Sequence, residues 1–161
     1  MEFIILFGLV LTYGWATYQR NFVWKDELSL WSDVVRKSSS KARPYIWVGL
    51  GYQKKGLIDN AAFYYKKALS FNPAKSDAAA AHNNLGLYYL DKGWSEMAIL
   101  EFSRALYIYP NYVPSHYNLG FIYMQKKNYE KAMEEFKAIL RVDPHNEMAM
   151  NLIDFCQKNL N

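Results

Sequence analysis

The chain has 161 residues and 18.9 kDa, which holds one domain with a short appendage and excludes a multidomain enzyme. Residues of the AVILMFWYC set make up 52% and charged residues 21%, so a disordered or supercharged chain is excluded, and the lone cysteine, Cys156, excludes an internal disulfide and a thiolate metal cluster. The net charge of +4 is uneven, because residues 1–75 hold 11 Lys+Arg against 5 Asp+Glu while residues 76–161 hold 8 against 10.

The first predicted element runs from Phe3 to Gln19 without a charge. Phe3, Ile4, Ile5, Leu6, Phe7, Leu9, Val10, Leu11 and Trp15 give it the apolarity of a membrane helix, and a bilayer core of ~30 Å needs about 17–25 residues. Tyr13, Trp15, Tyr18 and Trp24 gather at one end, as rings do at headgroup depth. Met1-Glu2 lacks the basic start of a signal peptide, and Ala16 lacks a small-x-small cleavage context, so a retained anchor in contact with membrane lipid is expected. A buried helix of the domain is the other reading of this stretch. Arg20, Lys25, Arg36, Lys37, Lys41 and Arg43 all follow it, which would put the remainder in the cytoplasm if the span is single; earlier spans would undo that inference, so the side stays open. Residues 1–24 are thus read as anchor and junction. Residues 25–41, with Asp26, Glu27, Leu28, Trp31, Val34 and Val35 at helical spacing, are read as a capping half-repeat.

Next comes a repeat. Asn84–Pro110 aligns without a gap on Asn118–Pro144 at an offset of 34, with Leu85, Gly86, Tyr89, Ala98, Phe102 and Pro110 recurring as Leu119, Gly120, Tyr123, Ala132, Phe136 and Pro144. An earlier copy places Val48, Gly49, Tyr52, Ala61, Tyr65, Ala68 and Pro73 in the same slots, and three extra residues within the AKSDAAA stretch set it 37 residues before the second copy. That insertion should lengthen a loop or a helix start. Small Gly and Ala at fixed spacing let two antiparallel helices approach closely, large rings fill the seam, and each proline stops the second helix. Gly56 and Gly93 mark the turn within a pair, with Asn128 expected to serve the third turn; Ile139 stands where Ala68 and Ala105 stand, so the third repeat is expected to pack more loosely. Residues 147–161 form a final amphipathic helix with Asp154 in the glycine slot, which predicts that no partner helix follows it.

These positions resemble the tetratricopeptide repeat, in three copies at 42–75, 79–112 and 113–146. The resemblance implies an all-α, right-handed α-solenoid of three helix pairs with capping helices, and the uncharged start adds a membrane helix. It also implies a concave face lined by the first helix of each pair. The residues of that face expected to be free of packing duty are Ile46, Leu50, Gln53, Asn83, Asn84, Leu87, Leu90, Tyr117, Phe121 and Met124. They are mostly apolar and suit a helix or an extended apolar peptide. Of the family's carboxylate-gripping positions only Asn84 matches, since Ile46, Leu50, Pro114 and Asn118 fill four others, so a terminal-carboxylate clamp is not expected. The junction, with Arg20, Asn21, Trp24, Asp26, Glu27, Leu30, Trp31, Lys37, Ser38, Lys41, Ala42 and Arg43, resembles the start of the repeat region in bacterial multi-span proteins similar to transmembrane O-mannosyltransferases; Ser39 departs from that pattern.

Chemistry leaves few marks. His82 and His116 recur at the repeat period and read as packing slots, His145 lies in a loop, and Glu130, Glu134 and Glu135 with Lys131 and Lys137 read as a solvated helix face. No phosphate-cradling, zinc-binding or nucleophile motif occurs. The chain is therefore expected to have no catalytic residues, no metal, no cofactor, no small-molecule substrate and no nucleic-acid partner. Of the basic patches, the first, Arg36-Lys37 with Lys41 and Arg43, is read as meeting anionic headgroups beside the membrane helix or as ordinary solvated surface, and Lys54-Lys55 with Lys66-Lys67 form the second. The function expected is a non-catalytic scaffold, anchored in a bacterial inner membrane, that holds a protein or peptide partner; the alternatives are the recognition region of a multi-span glycosyltransferase and a structural subunit of a membrane complex.

Overall fold

The computed structural model describes residues 26–37 and 40–160. The anchor expected at Phe3–Gln19 lies outside the described residues, and among these no helix is long and apolar enough to cross a membrane. They form eight helices and no strand: α1 (Glu27–Lys37), α2 (Ala42–Lys54), α3 (Ile58–Leu69), α4 (Lys75–Asp91), α5 (Ser95–Ile108), α6 (Val113–Gln125), α7 (Tyr129–Val142) and α8 (Glu147–Lys158). Helices α2/α3, α4/α5 and α6/α7 are antiparallel hairpins stacked in chain order, with α1 packed on α2 and α8 on α7. The result is a solenoid.

Each hairpin closes on one glycine and one ring. Tyr65, Phe102 and Phe136 are fully buried, and their rings lie flat against the backbone of Gly49, Gly86 and Gly120. A methyl group on Gly86 would sit 2.5 Å from Cε1 of Phe102, and one on Gly49 or Gly120 would collide with Tyr65 or Phe136 in the same way. The small residue is thus what allows the ring to fill the seam. Ala61, Ala98 and Ala132, and Ala68 and Ala105, are likewise fully covered on the second helices. Each second helix ends before its proline, at Leu69, Ile108 or Val142.

The three-residue insertion is helical. It makes α4 17 residues long against 13 for α2 and α6, and the added turn brings Asp77 to Arg43, whose Nε donates to Oδ1 at 3.1 Å. Asp26 opens α1 by accepting from the Ser29 amide at 2.7 Å. That bond and the ammonium of Lys55 lower the Asp26 carboxyl to about 2, the lysine being the larger cause.

The third turn corrects the sequence expectation. Gly56 and Gly93 have φ of +74° and +77°, and the residue that takes the left-handed conformation in the third pair is Lys127, at +57°, not Asn128. Asn128 instead caps α7, its side chain accepting from the Lys131 amide at 3.1 Å. The gap-free offset of 34 puts Lys127 in the slot of Gly93; asparagine was the better residue type for the conformation but stands one place late. Holding a non-glycine residue there costs about 1–2 kcal/mol, so Lys127→Gly should raise the thermal midpoint, with a net gain of roughly 0.5–1 kcal/mol after the extra chain entropy of glycine. A melting curve checks it; a lower midpoint would show that the turn needs lysine for another reason.

Ile139 also departs from expectation. Its side chain is fully buried among Ala132, Phe136, Ala149 and Cys156, so the larger residue fills the junction between α7 and α8 and the anticipated looseness is not seen there. Asp154, in the glycine slot of α8, is exposed and accepts from Lys158 Nζ at 2.6 Å.

Candidate binding groove

The first helices, α2, α4 and α6, carry the residues expected to line the groove, and these separate into three groups. Leu50 and Asn84, with Ile46 at the floor, line a cleft of about 390 Å³ whose other walls are Arg43, Trp47, Asp77, Ala80 and Tyr112. Ile46 was expected to be exposed but is only 6% accessible, because its flank packs into the cluster of Tyr45, Ala62 and Leu85. Leu87, Leu90, Met124 and Phe121 continue the apolar surface along α4 and α6. The first three are half-buried against the core clusters, and Phe121 is 42% exposed with its edge on Phe136 at 5.9 Å.

The third group is structural. Asn83 is buried, which corrects its assignment to the open face: its Oδ1 accepts from Ser115 Oγ at 3.1 Å and from Asn118 Nδ2 at 2.9 Å, tying α4 to α6. An amide is needed there, since a buried hydroxyl and amide group left without an acceptor would cost about 1–3 kcal/mol. Gln53 accepts from the Tyr65 hydroxyl at 2.7 Å, and burial pushes that phenol well above its ordinary value. The Tyr117 hydroxyl donates to Asn146 Oδ1 at 2.6 Å, while its ring stacks on Phe121 at 6.2 Å.

Sequence reasoning passed over Trp47. It is 41% exposed, faces the cleft, and stacks on Trp31 at 5.6 Å and 13°. The signal was present, because Trp47 occupies in the first repeat the slot that Asn84 occupies in the second. Arg43, paired with Asp77, lines both this cleft and a second cavity of about 460 Å³ bounded by Trp31, Pro44, Phe71 and Pro73. The cation is therefore engaged within the chain.

Two histidine–glutamate contacts stitch first to second helices. His82 Nδ1 lies 2.7 Å from Glu101 Oε2, and His116 Nδ1 lies 2.7 Å from Glu135 Oε2, with His116 Nε2 2.9 Å from the Pro110 carbonyl. The first repeat fills the same two slots with Tyr45 and Tyr64, whose rings meet at 6.4 Å. Glu135 is thus not part of a solvated face, as its charge pattern had suggested, but reaches across the hairpin. Glu101 is 4% exposed; burial raises its carboxyl, and the opposing pull of His82 and Arg104 prevails and leaves it below the ordinary glutamate value. Both contacts are explained by packing and pairing.

Comparison with known proteins agrees with this geometry. Family profiles described as tetratricopeptide repeat match residues 42–75, 79–112 and 113–146. Among curated proteins the chain is similar to protein O-mannosyl-transferase Tmtc3 of Drosophila melanogaster, 32% identical over 78 residues, and to protein O-mannosyl-transferase TMTC3 of Homo sapiens, 24% identical over 114 residues. These alignments take in 48% and 71% of the chain but 8% and 12% of the relatives, so it spans about a tenth of their length. Among solved structures it resembles the MamA protein, with a TM-score of 0.66 at 21% identity over 82% of this chain and 70% of that one. The first repeat domain of Spaghetti (RPAP3), bound to the HSP90 peptide SRMEEVD, has a TM-score of 0.66 at 21% identity over 76% and 97%. YrrB, described as having an unusual peptide-binding site, has 0.59 at 20% over 82% and 68%.

Proposed function

Since the chain belongs to the tetratricopeptide repeat family, we propose that it is a non-catalytic scaffold that holds a protein or peptide along its concave face, with residues 1–24 as its tether to a membrane. The observation that carries the reading is the cleft between α2 and α4, closed at one end by Tyr112, where Trp47 and Leu50 stand over an apolar floor and Asn84 offers an amide at the wall. Ring-lined troughs of this size gain affinity by burying a partner's apolar side chains, and tryptophan anchors dominate such contacts. Arg43 is satisfied by Asp77, so an apolar segment suits the cleft better than an acidic tail. Two solved structures of like fold are described with a bound peptide or a peptide-binding site, and the same use of the fold is proposed here.

Panning a displayed peptide library against the full chain and titrating the selected peptides tests this. Trp47→Ser, and separately Leu87→Asp with Phe121→Asp, should each weaken binding by about 30-fold or more, the effect of losing an anchor worth ~2 kcal/mol, with circular dichroism unchanged. Undiminished binding by folded variants would remove the groove assignment.

A second reading, the recognition region of a membrane glycosyltransferase, is favoured by the curated relatives, which are named as O-mannosyl-transferases. Mass spectrometry of the native product separates the two: peptides from several upstream membrane spans support the transferase reading, and their absence from a product sequenced to its first residue rejects it.

A further inference from the structure

The outer helix of the second repeat, and at one slot that of the first, differs from that of the third in a way that packing does not explain. Phe63 on α3 and Leu100 on α5 occupy one outward slot and are 63% and 42% exposed, whereas α7 has Glu134 there. Met97, 41% exposed, corresponds to Lys131, and Tyr107, 90% exposed, corresponds to Arg141. Single exposed apolar residues are ordinary. Four of them, one on α3 and three on α5, the corresponding helices of successive repeats, where the third such helix is charged, give that side of the solenoid an apolar outer face.

The charges beside that patch say what covers it. Lys66 and Lys67 follow Phe63 by three and four residues, so they share its face of α3, and both are exposed. The acids of this half of the described chain are already engaged: Asp26 by Lys55, Glu27 by Lys54, Asp33 by Arg36 and Lys37, and Asp59 by Lys92. The two lysines therefore present positive charge without a compensating acid among the described residues. On α5 the exposed Glu96 is held by Lys126 and Arg104 by Glu101, so the uncompensated charge beside the apolar residues is that of Lys66 and Lys67 on α3. Rings, Leu and Met flanked by lysine make up the composition that settles at the headgroup boundary of an anionic bilayer. A second copy is disfavoured, because a twofold contact would set lysines against lysines.

We infer that the outer face of α3 and α5 is a docking surface for an anionic lipid bilayer, with Phe63, Met97, Leu100 and Tyr107 seated at headgroup depth and Lys66 and Lys67 on the lipid phosphates. This does not rest on the groove reading, but it has a consequence for it: the cleft between α2 and α4, on the first-helix side of the solenoid, faces away from the membrane.

The test uses the full chain carrying Leu100→Cys or, as its slot-equivalent control, Glu134→Cys, each labelled with the environment-sensitive fluorophore NBD. Cys156 is fully buried and its thiol is pushed up by that burial, so labelling goes to the introduced site. On vesicles containing phosphatidylserine the label at position 100 should shift to shorter wavelength and be quenched by lipid-borne nitroxide, and the label at 134 should do neither. Adding Lys66→Gln and Lys67→Gln should lower the partition constant read at position 100 by roughly fivefold per lysine. Pure phosphatidylcholine vesicles report on insertion through residues 1–24, so failure of that tether is seen separately. Equal signals at positions 100 and 134, a position-100 signal independent of phosphatidylserine, or a blue shift that grows with protein concentration without lipid would each overturn the assignment, the last by pointing to self-association.

Discussion

Gly86→Val should cost about 3 kcal/mol or more, enough to unfold the second hairpin or leave it molten in a domain whose total stability is ~5–15 kcal/mol. The side chain would meet the ring of Phe102 at its Cε1, Cδ1 and Cζ atoms, and the ring has nowhere to go because it is itself fully buried. Interiors packed to crystal density transmit such a clash into the backbone. If the ring is the obstacle, Phe102→Leu in the same chain should return part of the loss, although that substitution alone is destabilising. Urea titrations of the four proteins measure the coupling: independent, additive losses would show that Gly86 is required for something other than this contact. Gly56 would answer differently. Nothing lies within 4 Å of a methyl placed there, and its φ of +74° means that the objection to a side chain comes from the backbone alone.

The seam was legible in the sequence because both of its members are residue types that repeat at a fixed offset. Gly49, Gly86 and Gly120, with Tyr65, Phe102 and Phe136, are enough to give the hairpins and their order. What escaped was whatever depends on a contact between elements. Ile46 was assigned to open surface because first-helix periodicity faces it inward, and only the packing of the first pair decides that its flank belongs to the core cluster. Asn83 looked like a groove amide, yet Ser115 and Asn118 one repeat later claim its oxygen. Glu135 sits at helical spacing from Lys131, which suggested a solvated face; its partner proved to be His116, 19 residues back in the chain, in a pairing that His82 and Glu101 repeat. The Lys127 turn was missed for the opposite reason. There the offset was right, and residue-type preference pointed one position too far.

Ile139→Ala is the substitution on which repeat-averaged reasoning and local packing disagree most. Alanine occupies the slot in the first two repeats, at Ala68 and Ala105, so a consensus argument expects it to be neutral or stabilising in the third. The structure predicts a loss of about 2–5 kcal/mol, the range for emptying a fully buried isoleucine site, because volume has been exchanged across the junction. Where α6 presents buried Ile122 to its surroundings, α8 presents Cys156 in the equivalent slot, and Ile139 lies in one cluster with that cysteine and Ala149. Removing the isoleucine while the small cysteine remains leaves a cavity that neither helix can close without shifting. Cys156→Ile in the native background should be overpacked by ~1–3 kcal/mol, and the pair Ile139→Ala with Cys156→Ile, which restores the combination used one repeat earlier, should be more stable than the sum of the two single losses. A double-mutant cycle by urea denaturation decides it: an Ile139→Ala protein as stable as the parent, or two losses that simply add, would mean that α8 does not depend on this contact for its seat on α7.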